Sequence, residues 1–163
     1  MERYTKEGGW LNGLLILLMV FSFGCGAGKK ARVRDNKVNT AISTARSYTG
    51  TPYRWGGTTR SGMDCSGLLI TSYGAAGIAI PRTAKAQSKY GKKVSIYELK
   101  PGDMVFFAAK KGRRKVTHAG MVTEVNGRHD VRFIHASTSL GVTENNIFSD
   151  YYKKIFVRAR RPF

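Results

Sequence analysis

The stretch Met63-Asp64-Cys65-Ser66-Gly67-Leu68-Leu69 is the part of the sequence that decides the fold. Asp64 is a residue type that caps helix N-termini, and apolar residues follow it at helical spacing until Gly77. The pattern therefore predicts a helix that carries Cys65 in its first turn. Because backbone N–H groups and the helix dipole favour negative charge at that end, the position suits a thiolate nucleophile.

Two histidines further along the chain could complete a catalytic group. A sulfur nucleophile needs a base to take its proton and a third group to orient that base. His118 opens one predicted strand and His135 lies on the returning strand, so the two rings can be neighbours. We predict His118 as the base, whose imidazolium would also favour the thiolate, and His135 as the orienting residue. Taken singly, each of the three residues also has an ordinary structural explanation; His129, in the predicted turn, is interpreted as structural.

The order of the predicted elements gives the fold class. The chain of 163 residues has the length of one domain, and its 19 glycines suit a fold rich in turns. Helical patterns come first, and the pair Asn126-Gly127 then predicts a hairpin turn between strands, in a turn region that can extend through Asp130. Helices followed by strands predict an α+β domain in which the helices pack on a small antiparallel sheet. The helices are predicted from 36 to about 50, from 65 to 76 and at 83–90; the strands are predicted at 104–108, 118–125, 131–136 and 155–160.

The N-terminal region has the pattern of an export signal. The apolar run at 11–23 is shorter than a membrane-spanning helix requires, so residues 1–24 are predicted to be a signal peptide rather than a single-pass anchor. Gly24-Cys25 resembles a bacterial lipoprotein site, which predicts a lipid on Cys25; cleavage nearby would instead release a secreted protein. Residues 25–35 are interpreted as the lipidated cysteine and a basic tether, and residues 36–163 as the catalytic domain.

Charge and cysteine content limit the partners and cofactors. The net charge of +18 favours binding to anionic polymers or phospholipid head groups. Because export is predicted, nucleic acid is not expected as a partner. Five of the six residues at 110–115 are basic, and this stretch either grips an anionic surface or is a solvated loop. With Cys25 as an anchor and Cys65 as a nucleophile, no disulfide forms. No other cysteine or histidine stands at metal-ligand spacing from them, so neither a metal nor another cofactor is predicted.

Six motifs occur in order along the sequence between Asn36 and Phe163. The first is Thr51-Pro52-Tyr53-Arg54-Trp55-Gly56-Gly57, and the second is the Cys65 stretch. The remaining motifs are Pro81-Arg82-Thr83-Ala84 with Gln87, Leu99-Lys100-Pro101-Gly102-Asp103, His118-Ala119-Gly120-Met121-Val122 and Phe133-Ile134-His135-Ala136-Ser137. With these motifs the sequence resembles the NlpC/P60 family of papain-like cell-wall cysteine peptidases.

The resemblance implies a fold, a reaction and a set of site residues. It implies a papain-like α+β domain that cleaves peptidoglycan stem peptides, typically between D-γ-glutamate and the diamino acid. It also implies that Cys65, His118 and His135 are catalytic. The positions implied to bind substrate are Tyr53, Asp64, Ser66 and Arg82. We expect a monomer, held to the bacterial membrane through Cys25 and facing the periplasm or cell wall.

The sequence is also compatible with two other functions. The chain could be a catalytically silent protein that binds wall or membrane on the same fold, although it retains all three catalytic residue types. It could also be an amidase or acyltransferase that uses the same cysteine and histidine chemistry, since residue types alone do not define the scissile bond.

Overall fold

The computed structural model describes residues 25–112 and 114–163, so the predicted signal peptide lies outside the described residues. The chain divides into two units, Met1–Asn36 and Lys37–Phe163. Helix α1 runs from Cys25 to Ser47 and so begins earlier than the predicted start at residue 36, because the lysines and arginines of this segment are good helix formers. No helix among the described residues has both the length and the apolar character needed to cross a bilayer. Lipidation of Cys25 and the tether stay predictions.

A six-stranded antiparallel sheet forms the centre of the second unit. The strands of the chain are β1 Thr58–Thr59, β2 Gly62–Met63, β3 Lys92–Val94, β4 Met104–Ala108, β5 Val116–Gly127, β6 Asp130–Ser137, β7 Gly141–Asn146 and β8 Phe156–Arg161. The sheet has the strand order β3-β8-β4-β5-β6-β7, and the short strands β1 and β2 form a separate small hairpin. Since neighbouring strands in sequence are mostly neighbours in the sheet, hairpins account for most of the topology.

The helices pack on this sheet, which gives the α+β class that the sequence predicts. Besides α1, the structure contains α2 at Cys65–Ala75, α3 at Ala84–Gln87, α4 at Asp150–Ile155 and a 3-10 helix at Ile96–Glu98. One face of the sheet is buried with residues 41–45 of α1 and with α2, and the other is buried with Ile155 of α4 and with Leu99 and Ile147. The sheet therefore has two apolar faces, and β4 is buried along its whole length.

Several elements differ from the sequence predictions. The turn between β5 and β6 lies at residues 128–129, and Gly127 pairs with Asp130, so Asn126-Gly127 belongs to a strand rather than to the turn. Two irregularities in the register of this hairpin shift the turn along the chain. Strands β3 and β7 and helix α4 were not predicted, because these segments are short and mix polar with apolar residues.

Candidate active site

Helix α2 holds Cys65 at its N-terminus, as the sequence predicts. Asp64 is the N-cap, and its Oδ1 accepts a hydrogen bond of 2.6 Å from the backbone N–H of Gly67. The backbone N–H groups of Ser66 and Cys65 act to lower the pKa of the Cys65 thiol. Cys65 is only 7% exposed. The thiol is therefore buried at the start of the helix, next to backbone donors.

The loop before α2 packs directly on the first turn of this helix. A Cβ atom on Gly67 would overlap the carbonyl oxygen of Gly57, and one on Gly57 would overlap that of Gly62. The backbone N–H of Asp64 donates to the same Gly57 carbonyl at 3.0 Å. Because only glycine fits at both contacts, the loop that carries Tyr53 and Trp55 is fixed against the start of α2.

Arg82 and Asp64 form an ion pair beside the thiol. Arg82 Nη2 lies 2.8 Å from Asp64 Oδ2, and Arg82 Nη1 lies 3.2 Å from Oδ1 and 2.8 Å from Ser66 Oγ. The backbone N–H of Gly56 also donates to Asp64 Oδ2, at 2.9 Å. Burial raises the pKa of Asp64, but the hydrogen bonds from Arg82, the backbone of Gly67 and Ser66 outweigh it and leave the pKa below its usual value. Asp64 therefore stays ionised next to Cys65.

Cys65 meets the sheet where strands β5 and β6 separate. The first residue pair between these strands is Met121 with Ile134, so the residues of β5 before Met121 are not paired with β6. The backbone N–H of Ala119 lies in this part of β5, next to the Cys65 thiol, and acts to lower the pKa of that thiol. His118 precedes Ala119 in β5, and His135 lies in β6. The thiol is thus anchored one residue away from His118.

The two histidines are neighbours, as the predicted hairpin implies, and they extend into a longer chain of hydrogen bonds. His118 Nε2 lies 2.9 Å from His135 Nδ1, and His135 Nε2 lies 2.8 Å from Asn145 Oδ1 on β7. The Tyr152 hydroxyl lies 3.1 Å from His135 Nε2 and donates to Asn145 Oδ1 at 3.3 Å. The chain therefore runs from His118 through His135 to Asn145.

These hydrogen bonds determine which nitrogen of each histidine ring carries the proton. With its oxygen placed toward His135, Asn145 can only accept, so His135 Nε2 carries a proton and His135 Nδ1 does not. His118 Nε2 must then donate to His135 Nδ1. It follows that His118 Nδ1 is the bare nitrogen, which can accept a proton from a thiol.

Aromatic rings enclose both histidines. His135 is 1% exposed and stacks on Phe133, with ring centroids 4.9 Å apart. The ring of Phe107 lies beside that of His118, with the two ring centroids 6.1 Å apart. Burial, together with the adjacent His135, lowers the pKa of His118 to about 3, and burial also lowers the pKa of His135. Both rings are therefore neutral at pH 7.

The thiol is also neutral, unlike the thiolate that the helix position suggested. Burial raises the pKa of Cys65, and the charge of Asp64 adds to this. The hydrogen bonds from the backbone N–H groups of Ala119 and Ser66 act in the opposite direction but do not compensate. With His118 neutral as well, no imidazolium favours the thiolate in the free protein, so the resting pair is a thiol and an imidazole.

A cleft of about 440 Å³ opens over the thiol. It is lined by Cys65 and by all four residues that the resemblance implies in substrate binding: Tyr53, Asp64, Ser66 and Arg82. Burial, then the charges of Cys65 and Asp64, raise the pKa of Tyr53, whose side chain is half-buried beside them. Trp55 also lines the cleft and is 88% exposed. His118 and His135 are not among the residues that line this cleft.

Sequence reasoning missed the two residues that extend the histidine chain, Asn145 and Tyr152. Asn145 lies on strand β7, which was not predicted, and Tyr152 lies on the short helix α4. Neither stands in one of the six motifs. A signal could have come from pairing His135 with Thr143, because this register brings Asn145 to the same face of the sheet as His135.

The fold and the site define a class of α+β proteins in which a cysteine at a helix N-terminus meets an antiparallel sheet that carries paired histidines. The chain belongs to the NlpC/P60 family, since the model of that family matches residues 50–161. The predicted family resemblance is thereby confirmed.

Comparisons with individual proteins agree with this assignment. The chain is 36% identical over 155 residues to the "Probable endopeptidase NlpC" of Escherichia coli, covering 91% of this chain and 97% of that protein. It is 37% identical over 115 residues to the murein DD-endopeptidase MepS/murein LD-carboxypeptidase of the same species, covering 70% of this chain and 57% of that protein. An NlpC/P60 family protein from Bacillus cereus superposes with a TM-score of 0.69 at 33% identity, over 76% of this chain and 39% of that one.

Proposed function

We propose that this protein is an exported peptidoglycan endopeptidase that cleaves stem peptides by thiol catalysis. The observation that carries the proposal is the ordered chain from Asn145 through His135 to His118, which leaves a bare imidazole nitrogen one residue from the contact with Cys65. A buried pair of neutral histidines with assigned protons has a clear use as a base and its orienting partner. The names of the relatives support the same reaction class.

In this mechanism the transfer of the thiol proton is coupled to formation of the bond between sulfur and carbon. His118 Nδ1 takes the thiol proton of Cys65 as the sulfur attacks the carbonyl carbon of the stem peptide. The carbonyl oxygen gains negative charge and accepts hydrogen bonds from the backbone N–H groups of Cys65 and Ser66. His118 then returns the proton to the leaving amine, and a thioester remains. Water, deprotonated by His118, hydrolyses the thioester and regenerates the thiol.

The scissile bond that we propose is the one between D-γ-glutamate and the diamino acid. The family resemblance supports it, and so does the chemistry of the cleft, where the ionised carboxylate of Asp64 faces the space beside the nucleophile. Such a carboxylate suits the free amino end of a short stem peptide. Tyr53, Ser66 and Arg82 are proposed to line the same subsite. The name of the MepS relative instead indicates a D,D bond for that protein.

A panel of defined muropeptides tests the proposal. Purified protein is incubated with uncross-linked stem peptides that contain the D-γ-glutamyl–diamino acid bond, with D,D-cross-linked dimers and with muramyl amides. The fragments are identified by mass. We expect cleavage of the first set alone. Cleavage confined to the D,D dimers would correct the bond, and cleavage confined to the muramyl amides would indicate an amidase. If no fragment appears from any of them, or from intact peptidoglycan, the enzymatic proposal is wrong.

The pH dependence of the reaction follows from the lowered pKa of His118. Its neutral form is the base, so activity should be lost only as pH falls through a pKa of about 3. An ordinary imidazole of pKa about 6.5 would be about 97% protonated at pH 5 and would lose activity roughly thirtyfold. We expect kcat/KM on a soluble muropeptide to change by less than about threefold between pH 7 and pH 5. A limb centred near pH 6.5, with the fold intact by circular dichroism, would contradict this.

Asn145 is a positioning residue in this scheme, and its substitution gives a separate prediction. Asn145→Leu keeps the size but removes the acceptor, so His135 and His118 can adopt the unproductive tautomers; kcat should fall about tenfold to a hundredfold with KM little changed. Asn145→Asp restores an acceptor and should retain most activity. The imidazole nitrogen chemical shifts should report the changed tautomer in the leucine variant. Unchanged kcat in that variant, or equal losses in both variants, would exclude the role.

A further inference from the structure

A second groove lies at the edge of the sheet formed by strands β3 and β8. It has a volume of about 520 Å³, similar to that of the catalytic cleft. Four of its lining residues are cationic and none is acidic. The lining residues are Lys93, Arg114, Phe156, Val157, Arg158 and Arg160.

The strand register brings the cations of this groove together. Lys93 pairs directly with Arg160 across β3 and β8, so both side chains point to the same face. Arg158 lies two residues before Arg160 in β8 and shares that face. Like charges placed opposite each other on a sheet destabilise it. A bound anion would remove this repulsion.

Five acidic residues of the domain form ion pairs with arginines outside the groove. The ion pairs are Asp64 with Arg82, Asp103 with Arg161 and Asp130 with Arg132. Arg46 pairs with both Glu124 and Glu144. In the part of the chain that the structure describes, no ion pair uses a residue of the groove.

One arginine of the groove is held in place by neutral groups. Arg160 donates to the backbone carbonyls of Ser88 at 2.9 Å and Gly91 at 3.3 Å. These contacts orient the guanidinium but leave its charge uncompensated. An oriented guanidinium loses less freedom when it binds an anion, so the groove is preorganised for one.

The groove is connected to the catalytic cleft by a short segment of chain. Arg114 lines the groove, whereas Val116 and Thr117 line the cleft. Two to three extended residues span about 7–10 Å. A polymer that lies in the groove would therefore be held close to the cleft.

We propose that this groove binds a linear polymer that carries phosphate groups, and that it holds the enzyme on such a polymer of the cell envelope. Phosphate oxygens suit the guanidinium groups of Arg158 and Arg160, and cations contributed by two strands and a loop suit a chain with repeated charges. Since export is predicted, an envelope polymer is a more suitable partner than nucleic acid. The inference does not rest on the thiol chemistry, so it can be tested in a protein without the nucleophile.

Binding of a fluorescently labelled poly(glycerol phosphate) chain tests this proposal. Fluorescence anisotropy is measured with Cys65→Ala protein, in which turnover cannot interfere, over a range of salt concentrations. The double substitution Lys93→Gln/Arg158→Gln should weaken binding at least about tenfold and reduce the slope of log K against log salt by about 1 to 2. The control Lys100→Gln/Arg128→Gln removes the same charge from exposed positions outside the groove and should change affinity less than about twofold.

Each alternative binding mode has its own outcome. Equal losses in the groove variant and the control would mean that only net charge matters and would overturn the site. Competition by orthophosphate at equal phosphate concentration would indicate a single-anion site rather than a polymer site. Tighter binding of single-stranded DNA, or binding confined to phosphatidylglycerol vesicles, would overturn the assigned partner. Circular dichroism of both double variants checks that they are folded.

Discussion

Replacing Cys65 with alanine is expected to lower kcat/KM for muropeptide cleavage by at least about 10⁴-fold, because no other group can form the thioester. Removal of a nucleophile leaves only the binding and oxyanion contributions to catalysis. Cys65→Ser keeps the shape of the side chain but replaces the thiol with a hydroxyl, which a neutral imidazole deprotonates poorly, so it should be nearly as inactive. The initial rate of fragment release, measured by mass, checks both variants.

Histidine variants show whether such a loss is specific to the site. His118→Gln removes the proposed base and should also nearly abolish cleavage, whereas His129→Gln should leave it unchanged. His129 is exposed in the turn between β5 and β6, where its ring contacts Phe148. If Cys65→Ala released more than about one hundredth of the wild-type fragments while remaining folded, the thiol mechanism would be wrong. A matching loss in His129→Gln would indicate a general effect on the fold.

The local pattern around Cys65 was sufficient to predict the start of its helix. Asp64 has a short side chain that reaches the backbone N–H of Gly67, so sequence spacing alone identifies the cap. The hairpin that carries the histidines was also predicted, because Asn126-Gly127 separates two largely apolar runs, although the turn itself lies at residues 128–129. The contact between His118 and His135 follows from that hairpin. Which of the two histidines donates the hydrogen bond does not follow from it.

The residues behind the site were not predictable, for a physical reason. Asn145 belongs to β7, which has two buried residues followed by four half-buried ones and so has no alternation to detect. Its role depends on the register of β6 with β7, which the sequence does not give. The neutral state of Cys65 has a similar origin. The helix N-terminus favours a thiolate, but only the folded structure reveals that burial has the larger effect.

Asp64 combines a cap, an ion pair and a contact with the cleft loop, so its substitution should have the second large effect. Asp64→Ala removes the acceptor of Gly67 and Gly56 N–H groups and of the Arg82 guanidinium. Loss of a cap costs about 1 kcal/mol, and each buried donor left unpaired costs about 1–3 kcal/mol. Because Arg82 is partly exposed and can be rehydrated, we expect a total loss of about 3 kcal/mol in the free energy of unfolding. Urea denaturation of the Cys65→Ala background measures it without turnover.

Acid gives this prediction its sharpest test. The pKa of Asp64 in the folded protein lies below its value in the unfolded chain, which is about 3.9. The carboxylate therefore stabilises the fold at pH values above about 4, and this contribution is lost as pH falls through the lower, folded pKa. The difference between wild type and Asp64→Ala should consequently be constant from pH 7 to about 5 and shrink in stronger acid. Asp130→Ala is the matched control, since its ion pair with Arg132 is about half exposed and should contribute less than about 1 kcal/mol. Equal destabilisation by the two substitutions, or a difference that grows in acid, would mean that Asp64 does not anchor the catalytic helix through its charge.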